Sequence, residues 1–114
     1  MASPISPLAP ASFPEMPNLD MVAVSTAAAG IKYQNRTDLA LITFPESATV
    51  AGVFTQSETR SAAVDWCRQV LNSNSNPVGI LVNSGNSNAF TGKRGLKATE
   101  LSAELAAEAL NCKP

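Results

Sequence analysis

The sequence predicts one α+β domain, and three observations carry that prediction. Its 114 residues allow a single domain. Short apolar runs of strand length crowd the first half, whereas the second half changes to the three-and-four spacing of amphipathic helices. Strands that gather ahead of the helices point to an α+β arrangement and away from a regular βαβ winding. The expected element order is β-β-β-α-β-α.

Residues 1–18 contain Pro4, Pro7, Pro10, Pro14 and Pro17. Proline fixes φ and removes a backbone donor, so no regular element runs through them. They are expected to form a proline-rich arm, ordered only if Ile5, Leu8, Phe13 and Met16 dock on a surface. Residues 19–114 form the domain proper. Met21 to Ala28 has the composition of a strand that ends near Gly30. A polar turn over Tyr33 to Asp38 leads to a second strand, Leu39 to Phe44. Pro45-Glu46-Ser47 breaks that run, and Thr49 to Thr55 reads as a third strand in an antiparallel hairpin with the second. Gly52 inside the third run marks a bulge or a close backbone approach.

The period changes at Ser61. Ala63, Trp66, Cys67 and Val70 share one helical face, with Ser61 as N-cap and Asp65 placing negative charge near the helix start. Residues 72–77 (Asn-Ser-Asn-Ser-Asn-Pro) end that helix. Val78 to Val82 is a buried-type strand. A last helix over Leu96 to Leu110 turns Ala98, Leu101, Leu105 and Ala109 inward. Glu100, Glu104 and Glu108 then line the opposite, solvated face.

Composition excludes several classes. Eight basic and nine acidic residues give a net charge of −1, without the clustered Lys and Arg that nucleic acid requires. No apolar run approaches the ~20 residues that span a membrane. There is no histidine, and Cys67 and Cys112 lack metal-ligand spacing, so no metal is expected. Cys67 reads as a small buried hydrophobe and Cys112 as exposed. Nothing demands a disulfide, and Met1 to Pro17 lacks the charged start and apolar core of a signal peptide, so a cytoplasmic protein is expected.

The chemistry concentrates in Asn83-Ser84-Gly85-Asn86-Ser87-Asn88-Ala89-Phe90-Thr91-Gly92, which joins the last strand to the last helix. Six residues, not four, separate Gly85 from Gly92-Lys93, and Arg94 follows the lysine, so the phosphate-loop pattern fails. Ser84 lies outside a G-x-S-x-G elbow and has no histidine as its base. Thr91-Gly92 is different. A hydroxyl followed by a glycine amide supplies two adjacent donors for an acyl oxyanion, and glycine permits close approach of the backbone. Spacing alone equally allows Thr91 to cap the helix and Gly92 to permit the turn.

The same stretch resembles the Asn-Ser-Gly-x-x-Asn-Ala-x-Thr-Gly signature of the ornithine acetyltransferases, also called glutamate N-acetyltransferases. Gly30-Ile31-Lys32 with Asp38 to Phe44, Val50-Ala51-Gly52-Val53-Phe54-Thr55 and Ser61-Ala62-Ala63-Val64 are similar to that family's preceding segments, in the same order. The resemblance covers about residues 7 to 110. It implies a four-layer αββα sandwich of which this chain forms part. It also implies acetyl transfer from N-acetylornithine to glutamate in arginine biosynthesis, without a bound cofactor, some members using acetyl-CoA as a co-substrate. Thr91 and Gly92 take the positions of the family's oxyanion-hole pair. The family's precursor cleaves itself before a nucleophilic threonine, and nothing here resembles that segment. The chain is therefore expected to be the amino-terminal portion of the enzyme, inactive alone, with the carboxy-terminal subunit as partner in a hetero-oligomer of cleaved chains. The competing readings are a small anion- or nucleotide-binding module built on the glycine-rich loop, or an inactive interaction fragment.

Overall fold

The computed structural model describes residues 5–73 and 76–114. It contains β1 (Ala23–Ala27), β2 (Leu39–Thr43), α1 (Ala62–Asn72), β3 (Gly79–Asn83) and α2 (Gly92–Leu110). The α+β class holds. The three strands form one sheet in the order β1-β2-β3, antiparallel throughout.

The third strand expected over Thr49 to Thr55 does not form, so the order is β-β-α-β-α. The reason is that both edges of β2 are taken, by β1 on one side and β3 on the other. The segment lies along α1 instead. Arg68 donates from Nη2 to the Thr55 carbonyl at 2.5 Å, and its guanidinium lies 5.7 Å from the centre of the Phe54 ring. The close approach expected at Gly52 is present. A Cβ there would sit 3.3 Å from Leu71 Cδ1.

Residues directly opposite in an antiparallel pair share a face. One face carries Leu39, Leu41, Gly79 and Leu81; the other carries Val24, Ala40, Ile42, Ile80 and Val82. The first is the helix side, because a Cβ on Gly79 would sit 2.8 Å from Leu110 Cδ1 and 3.8 Å from Leu41 Cδ1. The second is apolar yet open, with Val24, Ile80 and Val82 all exposed. A helix against one face, a second helix packed on that helix, and an uncovered apolar opposite face accord with one α layer and one β layer of a layered sandwich. Gly79→Ala should destabilise the protein by about 1 kcal/mol, since Leu110 can swing aside but the Ile42 carbonyl at 3.3 Å from the new Cβ belongs to the backbone. Chemical denaturation measures the difference.

The expected inward face holds in part on α1 and not on α2. On α1, Trp66 and Val70 are half-buried but Ala63 and Cys67 are exposed, so Cys67 is not a core residue. Cys112 is exposed as expected. Ser61 holds the N-cap position with extended φ −74° and ψ 157°, but its hydroxyl makes no capping bond. Its carbonyl accepts the Val64 amide, and Asp65 pairs with Arg60. On α2, the leucine stripe Ala98, Leu101, Leu105 and Ala109 is exposed. The buried side is Gly95, Thr99 and Ala107, with Ala103, Ala106 and Leu110 half-buried. Small residues at four-residue spacing let a helix axis approach its neighbours closely, and here that seam outcompetes the bulkier leucines. Glu104 and Glu108 are exposed as expected, while Glu100 is half-buried. Asn111, left-handed at φ 53°, ends α2 as the Cys112 amide returns to the Ala107 carbonyl at 3.0 Å.

The described part of the arm, from Ile5, does not dock on the chain: Ile5, Leu8, Phe13 and Met16 are all more than three-quarters exposed. Residues 1–4 of the arm, and Asn74-Ser75 of the expected turn, lie outside the described residues. Among the described residues no helix is long and apolar enough to cross a membrane.

Candidate functional site

The loop between β3 and α2 is anchored at its start by a buried carboxylate. Asp38, 3% exposed, sits where the β1–β2 connection enters β2. Its two carboxylate oxygens accept the amides of Ala29 and Ile31, each at 2.7 Å. Its own amide donates to the Ala27 carbonyl at 3.1 Å, and its carbonyl accepts the Ser84 amide at 2.9 Å. One residue thus fixes the turn through Gly30, which is left-handed at φ +70°, and the first step of the loop after β3. Gly85, at φ +91°, brings the loop against that turn, where a Cβ would sit 3.2 Å from Lys32 Cβ. Asn83 Nδ2 donates to the Asn86 carbonyl at 2.9 Å and tightens the bend.

The far end of the loop carries Thr91 and Gly92, the residues expected to act as an oxyanion donor pair. Phe90 is left-handed at φ 55°, Thr91 follows at φ −104° and ψ −1°, and Gly92 is left-handed again at φ +54°. A non-glycine residue at positive φ costs of order 1–3 kcal/mol and gathers at functional sites. A right-handed residue followed by a left-handed one turns successive amides toward a common point, a concavity suited to negative charge. α2 begins at Gly92, four residues earlier than expected. Its first turn holds Lys93 and Arg94 and no acidic residue, so nothing there neutralises the positive helix end.

Thr91 occupies the N-cap position, but its hydroxyl caps nothing. It donates back to the Asn88 carbonyl at 2.9 Å. The Gly92 amide has no acceptor among the described residues, and a Cβ on Gly92 would meet nothing within 4 Å. Among the described residues the Gly92 amide is therefore without an acceptor, while the Thr91 hydroxyl rests on a carbonyl. Two shallow depressions, of about 360 and 250 Å³, lie at Met21–Ala23 with Thr43–Phe44 and beside Glu46–Val50. Neither touches the loop. Among the described residues no three acidic, cysteine or histidine side chains converge at metal-binding distance.

Sequence reasoning missed three residues here. Asp38 read as the last residue of a polar turn, although its place beside the segment resembling Gly30-Ile31-Lys32 was a signal. Thr99 and Gly95 carry little hydrophobic signal beside the leucines of the same helix. A β-branched hydroxyl residue and a glycine, four apart among alanines, mark a seam rather than a wet face.

The model of the ArgJ family matches residues 23–114. This chain belongs to the ArgJ family. It is 56% identical to the arginine biosynthesis bifunctional protein ArgJ of Rhizobium meliloti (strain 1021), over 98% of this chain and 27% of that protein. It is 55% identical to the ArgJ protein of Agrobacterium fabrum, again over 98% of this chain and 27% of the relative. The chain thus spans about a quarter of the length of the curated relatives it matches. The structure is similar to ornithine acetyltransferase from Mycobacterium tuberculosis solved with ornithine, with a TM-score of 0.75 and 36% identity over 81% of this chain and 48% of that one. It matches the ArgJ structure from Bacillus halodurans equally well, with a TM-score of 0.75 and 27% identity over 82% of this chain and 48% of that one. The fold of these ArgJ structures is therefore shared over most of the chain.

Proposed function

We propose that this chain supplies the oxyanion hole of an acetyltransferase that moves an acetyl group from N-acetylornithine to glutamate in arginine biosynthesis. The observation that carries the reading is the Thr91-Gly92 pair. A free amide and a hydroxyl follow each other at an uncompensated helix start, in a chain of the ArgJ family. An M. tuberculosis structure similar to this one holds ornithine, which accords with that substrate class.

In this mechanism a nucleophile attacks the acetyl carbonyl of N-acetylornithine. The carbonyl π electrons move onto oxygen, and the tetrahedral oxyanion sits against the Gly92 N–H. The Thr91 hydroxyl turns from the Asn88 carbonyl to the same oxygen. Collapse passes the proton given up by the nucleophile's hydroxyl to the departing nitrogen, expels ornithine as the free amine and leaves an acetyl-enzyme. The glutamate amine then attacks that acetyl group through the same hole, and the nucleophile is released. The nucleophile, a threonine freed by self-cleavage, belongs to the part of the protein outside these 114 residues. The working enzyme is a cytoplasmic assembly of the two cleaved chains, with no bound cofactor. Acetyl-CoA is a second acetyl donor at the same site.

The test is turnover by the intact protein that carries this chain, with the acetyl group isotopically labelled. Label should pass from N-acetylornithine to glutamate, and a parallel reaction with acetyl-CoA reads the second donor. A folded protein that moves no label from either donor would remove this reading.

A further inference from the structure

We propose that Asn88, Gly95 and Thr99 form a positioning unit that sets the rest position of the Thr91 hydroxyl, so that its distance to the reacting oxygen is fixed from α2. This rests on the oxyanion reading of Thr91-Gly92 and deepens it.

Thr99 is 8% exposed, one full turn beyond Gly95 on the buried side of α2. Its hydroxyl oxygen accepts the Asn88 side-chain amide from Nδ2 at 3.1 Å. The Asn88 carbonyl in turn accepts the Thr91 hydroxyl at 2.9 Å. Asn88 is thus held at one end by the helix and holds Thr91 at the other. Gly95 completes the unit by absence. A Cβ there would collide with Thr91 Oγ1 and stand only 3.0 Å from Thr91 Cβ and 3.1 Å from Asn88 Cβ. Gly95 is buried inside a helix, where alanine is ordinarily favoured over glycine by ~1 kcal/mol. The Thr91 side chain occupies the space an alanine would need. The Gly95 amide also donates to the Thr91 carbonyl at 3.4 Å, so backbone and side chain of Thr91 are both tied to this one turn.

None of the three residues needs to touch substrate. Each acts through Thr91, and a shift of ~1 Å in a donor can cost ~10²-fold in rate. The test uses the intact enzyme and a double-mutant cycle. Thr99→Val removes the acceptor without changing shape. It should lower kcat by ~10–10²-fold at nearly unchanged KM, and Thr99→Ser should restore it. Added to Thr91→Ala, Thr99→Val should cost nothing further, because the group it positions is gone. Gly95→Ala is the second variant should Thr99→Val fail to fold, with the same expected loss and the same coupling. If Thr91→Ala lowers kcat but Thr99→Val leaves it within twofold, the positioning unit is wrong while the oxyanion hole stands. Additive losses in the double variant would reduce Thr99 to a structural residue and equally overturn the proposal. Unchanged turnover in Thr91→Ala would instead remove the oxyanion reading beneath it, and the positioning unit with it.

Discussion

Thr91→Ala in the intact enzyme should lower kcat by ~10²–10³-fold, with the KM for N-acetylornithine little changed. Loss of one preorganised donor typically raises the barrier by ~2.7–4 kcal/mol. The effect should fall on kcat because the hydroxyl is needed when charge develops on oxygen, not when the neutral amide binds. Folding should survive, since the hydroxyl makes one exposed bond, to the Asn88 carbonyl. Thr91→Ser keeps the donor and should retain most of the activity. Steady-state kinetics with both substrates checks this, and near-normal turnover in Thr91→Ala rejects the assigned role.

The second large effect is on stability. Asp38→Ala should destabilise the protein by about 3 kcal/mol or more, because hydrogen bonds to a charged group are worth ~1.5–3 kcal/mol each. Two such bonds are lost, to the Ala29 and Ile31 amides at 2.7 Å, and both donors stay behind in a part-buried place. Asp38→Asn should be milder, because one amide oxygen can still accept. The loss should be local as well as global. Residues 28–34 lose their turn anchor, and the Asn83–Gly92 loop loses the fixed surface it packs on. Denaturant unfolding gives the magnitude, and hydrogen exchange at Ala29 and Ile31 shows whether the turn opens first. An Asp38→Ala protein with unchanged midpoint and unchanged exchange would contradict this account.

Much of this was legible in the sequence, and the misses share a cause. β1, β2 and β3 were readable within a residue or two because apolar runs bounded by Gly, Pro and Asn mark strands. Thr49 to Thr55 has the same local character, but pairing is a tertiary matter. No local signal says that both edges of β2 are already occupied. The expected face of α2 failed for a related reason. A helix such as α2 has two apolar sides, one of leucine and one of Gly, Ala and Thr, and hydrophobicity ranks the leucine side first. Packing distance ranks them the other way. Thr91 and Gly92 stand out in the sequence by their chemical types and by the family signature, and the donor role proposed for them is what the Thr91→Ala kinetics test. The rest position of the hydroxyl, and the Asn88–Thr99 link that sets it, depend on how a loop folds back on a helix, which spacing does not encode.

The bond between Thr91 and Asn88 has a consequence for what the proposed site prefers to hold. A hydroxyl already bonded to one carbonyl gains nothing by exchanging it for another of equal basicity. A neutral acetyl amide is such an acceptor, so the donor stays where it is when substrate arrives. An alkoxide-like oxygen is a far stronger acceptor, and only then does the exchange become favourable. The arrangement therefore filters by charge. It withholds half of the hole from the ground state and releases it as the oxygen becomes negative, so that its stabilisation goes to the transition state rather than to substrate binding.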